Sequence, residues 1–203
     1  MIRAIVFDFG NVVCSFDNDI FLRSLLRFTS LRFDELKSAI YASDLHARFE
    51  SGRISSEEFF RQASRGGGLS ASREEFFRAF LEIFTPIPST FRLIRELKES
   101  YKVGLLSNTN ECHYEHYVKK VEVFPLFDSV TLSFEVKEMK PGERIYRDAL
   151  GKLGVPPGEC VFIDDIEAYA EGARRVGMKG IRYVTHGALL DALQEAGVAV
   201  PRG

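Results

Sequence analysis

Five short apolar runs rich in branched residues do most to limit the fold: Ile2 to Phe7, Val103 to Leu106, Val130 to Leu132, Cys160 to Ile163 and Gly180 to Val184. Each is nearly continuous rather than alternating, the pattern of a strand covered on both faces, as in parallel sheets. Helical periodicity fills the intervals, over Thr90 to Glu99, Arg144 to Leu153, Glu167 to Val176 and Ala188 to Ala196. Strands alternating with helices predict an α/β fold built on a doubly wound parallel sheet.

The stretch from Asp19 to Phe84 breaks this pattern, because it offers no convincing strand and reads as successive amphipathic helices rich in Phe. Its pieces are Asp19 to Phe28, Phe33 to Tyr41, Ser56 to Ala63 and Ser72 to Phe84. Ser55 or Ser56 followed by two glutamates marks a helix start, and Ser72 with Glu75 forms a capping-box pattern. Gly66-Gly67-Gly68 is expected to interrupt helix, and Thr85-Pro86-Ile87-Pro88 to form a linker back to the sheet. Asp17-Asn18-Asp19 is best read as a turn capping the first of these helices. Phe21, Phe28, Phe33, Phe49, Phe59, Phe60, Phe76, Phe77 and Phe80 recur at helical spacings and are expected to pack together. The domains are therefore expected to be 1–16 with 86–203 for the sheet, and 17–85 for a helical insert.

With 203 residues, 45% of them hydrophobic, the chain can bury a sizeable core. Its formal charge of -2 and scattered Lys and Arg leave no basic block of the kind nucleic-acid or membrane-surface binders use, so a small molecule is the expected partner. No apolar run approaches the ~20 residues of a membrane span, and the first residues read as strand rather than as a leader. Cys14, Cys112 and Cys160 are odd in number and far apart, which fits a reducing compartment, with the cytoplasm as the expected location.

In an open α/β sheet the loops after the strand ends form the ligand crevice. Four such loops carry chemistry here: Asp8; Ser107, Asn108 and Thr109; Lys140-Pro141; and Asp164-Asp165. An acid, a hydroxyl with an amide, a cation and paired acids are what phosphoryl transfer through a covalent aspartyl-phosphate requires. A divalent cation held by Asp8 and by one or both of Asp164 and Asp165 would offset repulsion between carboxylate and phosphate. Lys140 would add a second positive charge, and Ser107, with Asn108 or nearby backbone N–H groups, would bind phosphate oxygens.

Together these motifs resemble the haloacid dehalogenase superfamily, in the branch whose helical cap lies between the first and second motifs. Asp8-Phe9-Gly10-Asn11-Val12 resembles the first motif, Leu105-Leu106-Ser107-Asn108 the second and Lys140-Pro141 with Ile145-Tyr146 the third. Phe162-Ile163-Asp164-Asp165, followed by Glu171-Gly172-Ala173 and Gly177-Met178, resembles the fourth, and Phe49 to Phe59 is similar to a stretch of the cap. The nearest likeness within the branch is to sugar-phosphate phosphatases resembling α-glucose-1-phosphate phosphatase. The resemblance implies a Rossmann-like core, an Asp8 nucleophile and Mg2+ held by Asp8, the main-chain carbonyl of Gly10 and the fourth-motif acids, with Asp165 the favoured direct ligand. It implies a phosphatase of a small phosphorylated metabolite, as a monomer or homodimer.

Two departures stand out. Most phosphatases of the family carry a second Asp, the general acid and base, where this chain has Gly10, although the sugar-phosphate branch shares Gly followed by Asn. Tyr169 stands where the branch often has Asn. Gly10 keeps two other readings open: a dehalogenase attacking carbon with Asp8, and a catalytically weak homologue that binds a phosphorylated ligand. Substrate choice is expected near Asp17, Asn18, Asp44, His46 and Arg48. His113 and His116, three apart, offer too few ligands for zinc and read as part of a surface helix.

Overall fold

The structure is a computed structural model and describes residues 1–42 and 44–200; position 43 of the helical-insert range and 201–203 of the sheet range lie outside the described residues. Five strands form one parallel sheet: β1 (Ala4–Phe7), β4 (Lys102–Ser107), β5 (Ser129–Leu132), β6 (Cys160–Asp164) and β7 (Lys179–Arg182). Their order in space is β5-β4-β1-β6-β7, so the chain winds outward from a central β1 in both directions, as in a Rossmann-like fold.

Alternate side chains of each strand enter different cores. Ile5, Phe7, Val103, Leu105, Val161 and Ile163 pack on one face with helices α6 (Pro88–Lys98) and α11 (His186–Glu195). Ala4, Val6, Leu106, Cys160 and Phe162 pack on the other with α9 (Glu143–Leu153) and α10 (Glu167–Arg175). Burial on both faces is why these strands read as continuous apolar runs. Short helices α7 (Glu111–His116) and α8 (Ser133–Val136) follow β4 and β5.

Between β1 and β4 the chain leaves the sheet through β2 (Cys14–Phe16) and returns through β3 (Phe84–Pro86), which pair antiparallel. The intervening helices are α1 (Asn18–Leu25), α2 (Phe33–Tyr41), α3 (Leu45–Glu50), α4 (Ser56–Gly67) and α5 (Arg73–Leu81). Asp17 caps α1 by accepting from the Asp19 N–H, and Ser72 and Glu75 complete the capping box of α5. Phe21, Phe49, Phe59, Phe76, Phe77 and Phe80 are buried in a separate core, with Phe28, Phe33 and Phe60 partly buried around them.

Three local expectations are corrected, and one helix is added. Gly66 and Gly67 continue α4, which stops only at Gly68, where φ of 54° supplies the left-handed cap. Helix α5 ends at Leu81 rather than Phe84, because Phe84 starts β3. Thr85 and Pro86 are strand rather than linker, and Pro88 opens α6, where a missing N–H costs nothing. Helix α3, six residues long with no side-chain N-cap, is too short to show a periodicity. No helix among the described residues is long and apolar enough to cross a membrane.

Candidate active site

Strand register builds the floor of the site. Phe7 pairs with Leu105 of β4 and Ile163 of β6, so the next residue, Asp8, emerges beside Asp164 at the carboxyl ends of adjacent strands. The Asp8 N–H donates to Ile163 O at 2.9 Å, extending the ladder up to the functional side chain. Lys140, between α8 and α9, reaches both acids: its Nζ lies 2.8 Å from Asp8 Oδ1 and 2.5 Å from Asp164 Oδ2. The ammonium also sits over the rings of Phe162 and Tyr169, at 5.4 and 5.0 Å from their centroids. This is a physical account of Tyr169, whose own main chain is fixed by the Tyr146 hydroxyl donating to its carbonyl.

The side chain of Asn108 clamps the backbone at Lys140. Its Oδ1 accepts from the Lys140 N–H at 2.8 Å, and its Nδ2 donates to Lys140 O at 3.2 Å. With both ends of the amide engaged, Asn108 holds the lysine loop in place while lining the cavity beside Ser107. Ser107 is buried and its only recorded partner among the described residues is Asn108 O at a long 3.4 Å, so its hydroxyl is available to a ligand.

The loop after Asp8 folds back tightly, with the N–H groups of Val13 and Cys14 both donating to Phe9 O. Asn11 takes a φ of 55°, a left-handed conformation that Asn tolerates better than most residues. That turn aims Asn11 Nδ2 at Asp165 Oδ2, 3.0 Å away. Asp164, by contrast, has Oδ2 on Lys140 and Oδ1 accepting from the Ile166 N–H at 2.9 Å. One oxygen each from Asp8, Asp164 and Asp165 fall within 4.8 Å of one another.

Three carboxylates therefore cluster where Lys140 pairs with two of them, Asp8 and Asp164. Burial pushes the Asp8 and Asp164 carboxyls above their ordinary range, and Lys140 opposes that shift without cancelling it. Burial alone would lower Lys140, but the two carboxylates outweigh it and hold the amine protonated. An all-oxygen donor set with surplus negative charge fits a hard divalent cation.

Above this floor lies a cavity of about 200 Å³ between the sheet and the helical insert. Gly10, Ser107 and Asn108 line it from below, and Phe16, His46 and Glu50 from the insert side. A Cβ at residue 10 would lie 2.8 Å from Phe16 Cε1, so a side chain there would have to turn the half-exposed Phe16 ring aside.

Residues 2–177 match the family model described as haloacid dehalogenase-like hydrolase. The chain belongs to that family. D-ribitol-5-phosphate phosphatase of Bacteroides thetaiotaomicron is 28% identical over 172 residues, 81% of this chain and 84% of the relative. A haloacid dehalogenase (HAD) family enzyme of the same bacterium, solved with magnesium and inorganic phosphate, superposes with a TM-score of 0.81 at 24% identity, covering 91% of this chain and 95% of the other. L-2-haloacid dehalogenase of Xanthobacter autotrophicus superposes with a TM-score of 0.67 at 20% identity, covering 98% and 85%. Family phosphatases and dehalogenases thus share this fold, and only the site can separate them.

All the sequence-derived HAD site residues, Asp8, Gly10, Ser107, Asn108, Lys140, Asp164 and Asp165, lie at or beside this cluster. Of the residues expected to choose substrate, Asn18 and His46 line the cavity. Asp17 instead caps α1, and Asp44 and Arg48 face each other 3.6 Å apart on α3, so these three are not in its wall. His113 is buried rather than on the surface: its Nε2 pairs with Phe80 O at 3.0 Å and its ring stacks on Phe80, tying α7 to the insert. Sequence reasoning missed Asn11, Phe16 and Glu50 as parts of the site. Glu50 sat in plain view within Phe49 to Phe59, but no spacing tied it to residues far along the chain.

Proposed function

We propose that this HAD-family hydrolase is a magnesium-dependent phosphatase of a small phosphorylated metabolite, acting through an aspartyl-phosphate on Asp8. The observation that carries the reading is the convergence of oxygens from Asp8, Asp164 and Asp165 within 4.8 Å of one another, with Lys140 paired to the first two. A dehalogenase using Asp8 on carbon would need no cation, and a third carboxylate would only add repulsion. The phosphatase reading also agrees with the ribitol-phosphate-hydrolysing relative.

In this proposal Asp8, the Gly10 carbonyl and Asp165 hold Mg2+, which supplies charge neutralisation for the phosphate. Asp165 is favoured over Asp164 because both Asp164 oxygens already have protein partners, whereas Asp165 has one oxygen held by Asn11 and another left over. Lys140 pairs with Asp8 and with a phosphate oxygen, Ser107 Oγ donates to another oxygen, and Asn108 keeps Lys140 in position. Residues 17–85 act as a cap on a core of 1–16 and 86–203: closed, they exclude water, and they open to exchange the released alcohol for water.

Phosphate release from a panel of sugar, polyol and nucleoside phosphates, with magnesium and with chelator, tests the reading, with a haloacid panel alongside. Turnover of phosphate esters is expected only with magnesium, and Asp8→Asn is expected to lower it by at least ~10⁴-fold. Halide release without phosphate release, or full activity in Asp8→Asn, would reject it.

A further inference from the structure

The reading above leaves the leaving oxygen without a proton donor. Gly10 offers no acid, and the Phe16 ring lies against it, 2.8 Å from where a Cβ would stand. Around the cavity the titratable side chains are His46, Glu50 and His113. His113 has both ring nitrogens engaged, by Phe80 O and the Asn110 side chain, and burial lowers it to about 3. Burial lowers His46 to about 4, which favours its uncharged ring, a far weaker acid than imidazolium. Glu50 is left.

Its placement is fixed from the sheet side. Ser133 Oγ lies 2.6 Å from Glu50 O, while accepting from the Thr109 N–H two residues beyond Ser107. Lys137 Nζ donates to Gly52 O at 2.9 Å. Gly52 itself, at φ of 63°, sits so close to α8 that a Cβ would lie 2.3 Å from Phe134 O. The end of α3 is thus held to the sheet domain through main-chain groups, and the Glu50 side chain, 18% exposed, forms part of the cavity wall.

We propose, on the phosphatase reading, that Glu50 is the catalytic acid and base of this enzyme, delivered from the helical insert in place of an acid at residue 10. As the bond from Asp8 oxygen to phosphorus forms and the bond from phosphorus to the ester oxygen breaks, the Glu50 proton passes to that oxygen and a neutral alcohol leaves. The Glu50 carboxylate then takes a proton from the water whose oxygen attacks phosphorus, releasing inorganic phosphate and restoring the Asp8 carboxylate. Burial raises Glu50 to about 8, the direction that keeps a proton on it for the first step. The charged and titratable groups facing it are His46 one turn back on α3, Lys140 and Asp8 from the core, Tyr41 from α2 and Tyr169 from α10.

The test uses the full chain with magnesium and compares two esters: the alkyl phosphate the wild type hydrolyses fastest in the panel, and 4-nitrophenyl phosphate, whose phenolate leaves without a proton. Glu50→Gln is expected to lose ~10²–10³-fold in kcat/KM on the alkyl ester and less than ~10-fold on the aryl ester. Glu50→Asp is expected to recover part of the alkyl activity. Retained aryl hydrolysis also reports a folded protein. An equal loss on both esters, or no loss on the alkyl ester, overturns the role of Glu50. A wild type inactive on every phosphate ester overturns the phosphatase reading itself, and the proposal with it.

Discussion

The sheet side of the site is a set of charged groups that partner one another, whereas the insert side brings a single acid on an aromatic scaffold. Asp8 and Asp164 stand at the ends of adjacent strands, so backbone hydrogen bonds fix their separation before any side chain is placed. Lys140, Asn108 and Asn11 then lock the charges by direct contacts. Among the described residues of α1 to α5 no such ladder exists. Phe49 and Phe59 stack at 4.4 Å between centroids, and Phe21 meets Phe76 edge-on at 5.1 Å, so helix positions follow from ring packing. Charged groups are thus fixed by strand ends and hydrogen bonds, while the helices facing them are placed by apolar packing.

Among changes that probe this difference between the two sides, the largest effect is expected where it is sharpest. Lys140→Ala leaves Asp8 and Asp164 buried beside each other without their shared cation. Turnover is expected to fall by ~10²–10³-fold, the cost of losing one charged donor at a transition state. In metal-free protein the unpaired acids are expected to cost about 3–5 kcal/mol of stability, and magnesium should restore part of it. Urea unfolding with and without magnesium measures this. A variant as stable as wild type in chelator would mean that the sheet side is not held by its ion pairs.

Phe59→Ala probes the other half. Its ring is fully buried among Phe49, Phe76 and Phe80, so truncation is expected to cost about 3–5 kcal/mol of global stability. If the two regions contribute separately, thermal unfolding should become biphasic, with the insert melting first. Preserved single-step unfolding would show instead that the contacts from Ser133, Lys137 and His113 join the two parts into one cooperative unit.

This asymmetry also governs what the sequence disclosed. The five strands announced themselves because burial on both faces forces continuous apolar runs, and Asp8, Ser107, Lys140 and Asp164-Asp165 were found because each sits in the loop immediately after or near a strand. Asn108 was found, but not its clamp on the Lys140 backbone, since that contact joins loops far apart along the chain and leaves no sequence period. Glu50 and Phe16 escaped because their relation to Asp8 is set by how the insert packs on α8 and β3, a tertiary property with no sequence period. Gly66 and Gly67 misled for the opposite reason: local propensity argued against helix, and packing of Gly67 beside Leu36 and Leu69 overrode it.

The smallest expected effect concerns the one acid that crosses between the regions. Glu50 is raised by burial to about 8 from an ordinary 4.5, with Asp8 adding to the shift and Lys140 opposing it. In the unfolded chain it ionises at its ordinary value, so between there and about pH 8 the native state binds more protons than the unfolded one. Its contribution therefore makes the protein less stable as pH rises across that window. Glu50→Gln removes the contribution. In metal-free protein the variant is expected to melt higher than wild type at pH 8, by on the order of 5 °C, with little difference at pH 5. Paired melting curves at the two pH values measure it. An unchanged gap would mean that Glu50 ionises as freely as in water, in which case the insert does not seal the cavity above Asp8, and the acid on its rim would enter the first step already deprotonated.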